Sequence, residues 1–264
     1  MTNVGPASRE RAVKIAALLR EELSRHLPVD KTIASFGQVD ACVRREQGQL
    51  FPLRDHLRGM ILAMLSANRP WKPIANNMAR LAEIFGGFKP SFLENTPAES
   101  LEASVKAIGC GNRRVSFQMR AIQPNIATFR RLDSDAGTID AFVADQPIET
   151  VVRELGAGRY KLRELGPTLV LEYLKNVGIR ANKPDVHVLR ICGPSRLGIL
   201  SADASPLTAF HEFRAFANAA GMHEVELDNQ IWLLGAEEYA SICGATPKCA
   251  ACALRSVCRQ NQAT

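Results

Sequence analysis

Four of the chain's seven cysteines fall within the 16 residues from Cys243 to Cys258, in the spacing Cys-x5-Cys-x2-Cys-x5-Cys. Four thiols this close in sequence can converge on one centre with no help from distant chain. In a reducing compartment such a group reads as a metal site and not as a disulfide framework. Tetrathiolate sites hold either zinc or an iron–sulfur cluster. A zinc ribbon usually pairs two Cys-x2-Cys knuckles across a longer loop; here one knuckle, Cys249 and Cys252, is flanked by two single residues, Cys243 and Cys258. Zinc is therefore the rival reading. The remaining Cys42, Cys110 and Cys192 read as small core residues.

Upstream of that tail nearly every segment carries helical spacing of apolar residues and none sustains a two-residue alternation, so the fold class is all-α. Helices are expected over residues 9–26, 57–67, 71–85, 113–131, 138–144, 148–155, 206–219 and 224–239. Another is expected to start at a capping box of Thr96, Pro97 and Glu99 and to run to Ile108. The length of 264 residues suits one large domain or two interleaved ones. A formal net charge of +6 favours a polyanionic partner, and an aromatic fraction of 6% argues against an RNA-recognition sheet that stacks bases. No stretch reaches the roughly 20 apolar residues a bilayer span needs, and the N-terminus lacks a signal-type run. The expectation is a cytoplasmic, nucleoid-associated protein with no membrane partner.

Two segments carry chemistry in their own right. In Leu162-Arg-Glu-Leu-Gly-Pro-Thr-Leu-Val170 a glycine-containing turn precedes a helix, an arrangement that offers backbone N–H groups to a phosphate. In Lys183-Pro-Asp-Val-His-Val-Leu-Arg-Ile191, Asp185 stands before an apolar helical run, where a carboxylate caps the helix. Together with Met64-Leu-Ser-Ala-Asn68, with Ile108-Gly-Cys-Gly-Asn112-Arg113-Arg114 and with the cysteine tail, these segments resemble the helix-hairpin-helix DNA glycosylase superfamily, in its endonuclease III-like branch with a C-terminal [4Fe-4S] cluster loop. The likeness runs from about residue 57 to 258.

The resemblance implies two interleaved helical lobes: a six-helix barrel with the hairpin over residues 54–177, and a discontinuous lobe of residues 1–53 and 178–264 with the cluster loop. It implies a [4Fe-4S] cofactor on Cys243, Cys249, Cys252 and Cys258, a catalytic Asp185, and double-stranded DNA as the partner of a monomer. Asn68, Asn112, Arg113, Arg114, Leu165, Gly166 and Thr168 become the DNA-binding set, with Lys248, Arg255 and Arg259 on a basic cluster loop. His187 and Arg190 also match the pattern, and Asp55, His56 and Trp71 are candidates for the base pocket.

Departures from the family pattern matter. The first cysteine gap has five residues where the family has six. Glu164 replaces a glycine, and Pro167 removes a donor. Asn68 is shorter than the family's glutamine, and Cys110 and Gly111 are too small to wedge into a base stack. Leu62 occupies the position of the glutamate found in adenine glycosylases, and the chain stops just after the cysteines, so adenine is not the expected substrate. Thr168 stands where strand-cutting members carry a nucleophilic lysine. The expected activity is monofunctional base excision by an aspartate-activated water. A bifunctional glycosylase with AP lyase activity and a non-catalytic iron–sulfur or zinc DNA-binding protein are the alternatives.

Overall fold

The computed structural model describes residues 6–261. Its helices in chain order are α1 (Pro6–Ser24), α2 (Val29–Phe36), α3 (Gln38–Glu46), α4 (Leu53–Leu65), α5 (Lys72–Asn76), α6 (Met78–Ile84), α7 (Pro90–Asn95) and α8 (Ala98–Ala107). They continue as α9 (Val115–Ala136), α10 (Ile139–Asp145), α11 (Ile148–Gly156), α12 (Pro167–Asn176), α13 (Val186–Cys192), α14 (Pro206–Ala220) and α15 (Glu224–Gly235). Short 3₁₀ turns follow at Cys249–Ala251, Ala253–Ser256 and Arg259–Asn261. The described residues contain no strand, as an all-α sequence requires, and no helix is long and apolar enough to cross a membrane.

The chain divides into two compact units, one from residues up to 39 and from 180 onward, the other from residues 40–179. The first boundary thus lies at Asp40, where the resemblance placed it at Arg54. In the discontinuous unit, α1 turns Ile15, Leu19 and Leu23 to one side at four-residue spacing. They join Ile191, Phe213, Leu227, Ile231, Leu234 and Leu254 in one core. Each such side chain contributes about 1.5–3 kcal/mol by leaving water.

In the continuous unit, α4 and α12 approach closely at Gly59: a Cβ there would lie 3.0 Å from Val177 Cγ1, and Asn176 Nδ2 donates to the Gly59 carbonyl at 3.0 Å. Beside this contact lies a buried polar network. Asp140 Oδ1 accepts from Arg45 Nη2 at 2.5 Å and pairs with His56 Nε2 at 3.1 Å, while Oδ2 accepts from the Phe51 N–H at 3.0 Å. His56 Nδ1 in turn meets the Tyr173 hydroxyl at 2.6 Å. Burial alone would raise the Asp140 carboxyl, but the bonds from His56, Arg45 and Phe51 and the Arg45 charge outweigh it and hold the group well below the usual carboxylate range.

Two local expectations fail for identifiable reasons. Thr96 does not cap α8: its hydroxyl donates to the Phe92 carbonyl at 2.7 Å, closing α7, and α8 begins at Ala98. The helix expected over residues 71–85 breaks at Asn77, whose φ of −116° leaves the helical region while its side chain donates to the Pro73 carbonyl. The sequence pattern also missed α2, α3 and α7. Pro28 stands just before α2, which Gly37 closes in a left-handed conformation at φ 71°.

Candidate nucleic-acid interface and reaction centre

Within the continuous unit, side chains tie together three segments that stand far apart in sequence. Asn68 follows the end of α4, exposed and left-handed at φ 51°. Its neighbour Arg69 donates from Nη2 to the Gly109 carbonyl at 2.8 Å. Asn112 Nδ2 reaches back to the carbonyls of Met64 and Ala67 at 3.3 and 3.2 Å, and Gln118 Nε2 donates to Met64 O at 2.8 Å. These bonds engage the Met64 carbonyl in the last turn of α4 and the Ala67 carbonyl just beyond it. The Asn112 side chain is therefore occupied as a cap, its oxygen accepting from the Arg114 N–H at 2.8 Å. Arg113 is exposed. Arg114 grips Glu164 bidentately, Nε to Oε2 at 2.7 Å and Nη2 to Oε1 at 2.6 Å, with its guanidinium 4.5 Å from the centre of the exposed Phe117 ring.

The hairpin is built differently from its motif. Gly166, expected to supply the permissive turn residue, lies at φ −88° and ψ 178°, which any residue adopts, and a Cβ on it would meet open space. The left-handed residue is Glu164 at φ 64°, at the position where the resemblance has glycine. The turn is clamped from beneath by Asn125, fully buried on α9. Its Nδ2 donates to the Arg163 carbonyl at 3.1 Å and its Oδ1 accepts the Arg163 N–H at 2.7 Å. Leu165 points inward, 1% exposed, and its N–H closes the turn onto Leu162 O. The N–H groups of Glu164, Gly166 and, after Pro167 at the mouth of α12, Thr168 have no acceptor among the described residues and are free donors of the hairpin.

In the discontinuous unit, Asp185 caps α13. Oδ1 accepts from the N–H groups of His187 at 2.9 Å and Val188 at 3.1 Å, and Oδ2 takes no hydrogen bond from the described residues. The carboxylate is half-buried, so one oxygen fixes it and the other stays available. Behind it, His187 stands edge-on to Trp232 and so close to Gly235 that a Cβ there would lie 2.7 Å from Nδ1. Burial lowers the His187 pKa, which keeps the ring neutral near pH 7.

The four tail cysteines line one pocket together with Ile191, Leu197, Leu234, Ile242 and Leu254. Cys243 lies near Cys249 and Cys258, and Cys252 near Cys243 and Cys249. Without a metal, burial raises the Cys243 thiol and pushes Cys252 up to about 11. Among the described residues no three His, Cys, Asp or Glu side chains stand close enough to hold a single metal ion. Four thiols lining one pocket are a donor set of the kind that tetrathiolate metal sites use. Of the basic residues on this loop, Lys248 and Arg255 are exposed, while Arg259 donates to the Pro194 carbonyl at 3.3 Å.

The pocket candidates separate. His56 is fully buried with both ring nitrogens engaged, so it belongs to the core network and not to a substrate pocket. Asp55 is half-buried, 3.6 Å from Arg54, and Trp71 is half-buried just before α5. The residues that sequence reading missed, Asn125, Gln118 and Phe117, act on partners up to 54 positions away, and no local pattern marks them.

No family model matches the chain, and no curated protein does. Solved structures do. The 8-oxoguanine glycosylase/lyase of Methanocaldococcus jannaschii, in complex with a 15mer DNA containing 8-oxoguanine, aligns with a TM-score of 0.55 at 18% identity, covering 83% of this chain and 96% of that one. The 8-oxoguanine DNA glycosylase of the same organism aligns at 0.56 and 18%, over 83% and 92%. That of Thermotoga maritima gives 0.57 and 18%, over 83% and 96%. At this identity the chain shares their fold.

Proposed function

We propose that this chain is a DNA N-glycosylase that removes a damaged base from duplex DNA by hydrolysis and leaves an abasic site. The observation that carries the reading is the Asp185 carboxylate, pinned at a helix mouth through Oδ1 with Oδ2 unbonded, in a fold shared with 8-oxoguanine glycosylases. Exposed Arg113, the exposed Phe117 ring and the Thr168 N–H contact the sugar–phosphate backbone, which positions the duplex without reading sequence. One nucleotide is extruded, at a cost of a few kcal/mol in unstacking. As the glycosidic bond breaks, the base departs with the bonding electrons and takes up a proton, and the sugar becomes oxocarbenium-like. Asp185 Oδ2 stabilises that cation and accepts a proton from the water whose oxygen bonds to the anomeric carbon. Cys243, Cys249, Cys252 and Cys258 would hold a [4Fe-4S] cluster, which would supply structural anchoring for the loop that presents Lys248 and Arg255 to phosphate.

The reaction is monofunctional in this reading. Thr168 has no amine, and Lys175, the lysine of α12, is 3% exposed and 3.5 Å from Glu172, so it is not presented as a nucleophile. The test is a panel of duplexes with single lesions, 8-oxoguanine first, read with and without alkali for the wild-type chain and Asp185→Asn. Base release by the wild type should drop by roughly 10²–10³-fold or more in the variant, with DNA binding retained and strand breaks appearing only after alkali. Equal behaviour of both chains on every lesion refutes the glycosylase. A borohydride-trapped covalent complex refutes only its monofunctional form.

A further inference from the structure

The turn that follows α13 holds a buried cation whose partners lie in the cysteine tail. Arg196 is 6% exposed. Its Nη1 donates to the Cys243 carbonyl at 2.9 Å and to Cys243 Sγ at 3.0 Å, and its Nη2 to the Gly244 carbonyl at 2.9 Å. The Arg196 carbonyl accepts from the Arg259 N–H at 2.8 Å, so the same turn also grips the residue after the last cysteine. The Arg259 guanidinium packs over Gly198, where a Cβ would lie 2.4 Å from its Cζ. Among the described residues no carboxylate pairs with Arg196. Burying a charge without a counter-charge is unfavourable, and two carbonyls and a neutral thiol supply none. A thiolate-ligated iron–sulfur cluster is an anion, and Cys243 Sγ is the atom of such a site that this guanidinium touches.

We infer that Arg196 is the counter-charge of the cysteine site: its guanidinium donates to the Cys243 thiolate, retains the cluster in the loop and favours its more negative, reduced state. This rests on the reading of the four cysteines as cluster ligands. Arg196 is a positioning residue and touches no substrate.

The full-length wild type, Arg196→Lys and Arg196→Met are purified anaerobically. Iron and sulfide per chain, the rate of iron loss to a chelator and the cluster's reduction potential are measured for each. The wild type should contain iron and sulfide. Arg196→Met should lose iron faster and shift the potential downward, because a positive charge beside the sulfur is gone. Arg196→Lys, which keeps the charge without the planar fork, should fall between the two. A wild type without iron and sulfide overturns the cluster reading and this inference together. A loaded wild type whose Arg196→Met variant matches it in potential and iron loss overturns the inference and leaves the cluster standing. If Arg196→Met fails to fold, Arg196→Lys decides alone: a shift supports the inference and identity with the wild type overturns it.

Discussion

In the continuous unit a buried carboxylate, Asp140, collects Arg45, His56 and the Phe51 N–H from its own unit. In the discontinuous unit a buried guanidinium, Arg196, collects two carbonyls and a cysteine sulfur. The first set is electrically complete within the polypeptide. The second is complete only if the sulfur carries charge, which a bound metal ensures and a buried free thiol does not. The contrast separates a unit that balances this buried charge within the polypeptide from one that, on the proposed reading of the four cysteines, balances it with a bound cluster.

Asp140→Asn breaks the first half of that contrast and carries the largest expected stability effect. It leaves Arg45, whose side chain is only 14% exposed, without its counter-charge, which costs about 3 kcal/mol. Because the Asp140 pKa is depressed in the folded state, its contribution is fully present above the unfolded value near 4 and is lost as pH falls toward the folded one. Wild-type stability should therefore decline more steeply below about pH 4 than that of the variant. Denaturant melts of both chains across that range check this, and parallel curves would show that the network does not hold Asp140 ionised. Iron content should not change, since the cysteine site draws on other charges.

Glu164→Gln sharpens the comparison at the surface, where a third pair, Arg114 with Glu164, is balanced within the polypeptide. Arg114 is 55% exposed, so the Glu164 pair adds little to stability. Freed of the carboxylate, Arg114 can take a phosphate. Duplex affinity should then rise several-fold at low salt, and the slope of log affinity against log salt should steepen by about 0.9, one extra phosphate contact. Fluorescence anisotropy over a salt series measures both. An unchanged slope would mean that the guanidinium does not reach the backbone even when released.

How much of this was legible in the sequence follows the range of the interactions. Asp185 as a cap, the helix after Pro167 and the gathering of the tail cysteines are local arrangements, written in neighbouring residues. The Asn125 clamp on Arg163, the Asn112 cap on α4 and the grip of Arg196 on Cys243 join positions 38, 48 and 47 apart, and no periodicity encodes them. His56 misled because a polar residue near the start of α4 looks like a pocket residue until Asp140 and Tyr173 are brought to it. Gly166 misled because glycine is usually read as a conformational need.

Gly166→Ala tests that last point and should have the smallest effect. The backbone at Gly166 is extended, and the added Cβ meets nothing within 4 Å. Alanine caps a helix somewhat less well than glycine but leaves a stiffer unfolded chain, and the two effects oppose each other. The net change should stay within about 0.5 kcal/mol, with unaltered DNA affinity. Gly178 is the useful control: at φ 76°, a Cβ there would lie 2.3 Å from the Ala41 carbonyl, a backbone atom that cannot give way. Paired melts of the two alanine variants read the difference directly. If Gly166→Ala fell as far as Gly178→Ala, the hairpin would need glycine after all, and the left-handed strain placed at Glu164 would belong instead to the residue the motif names.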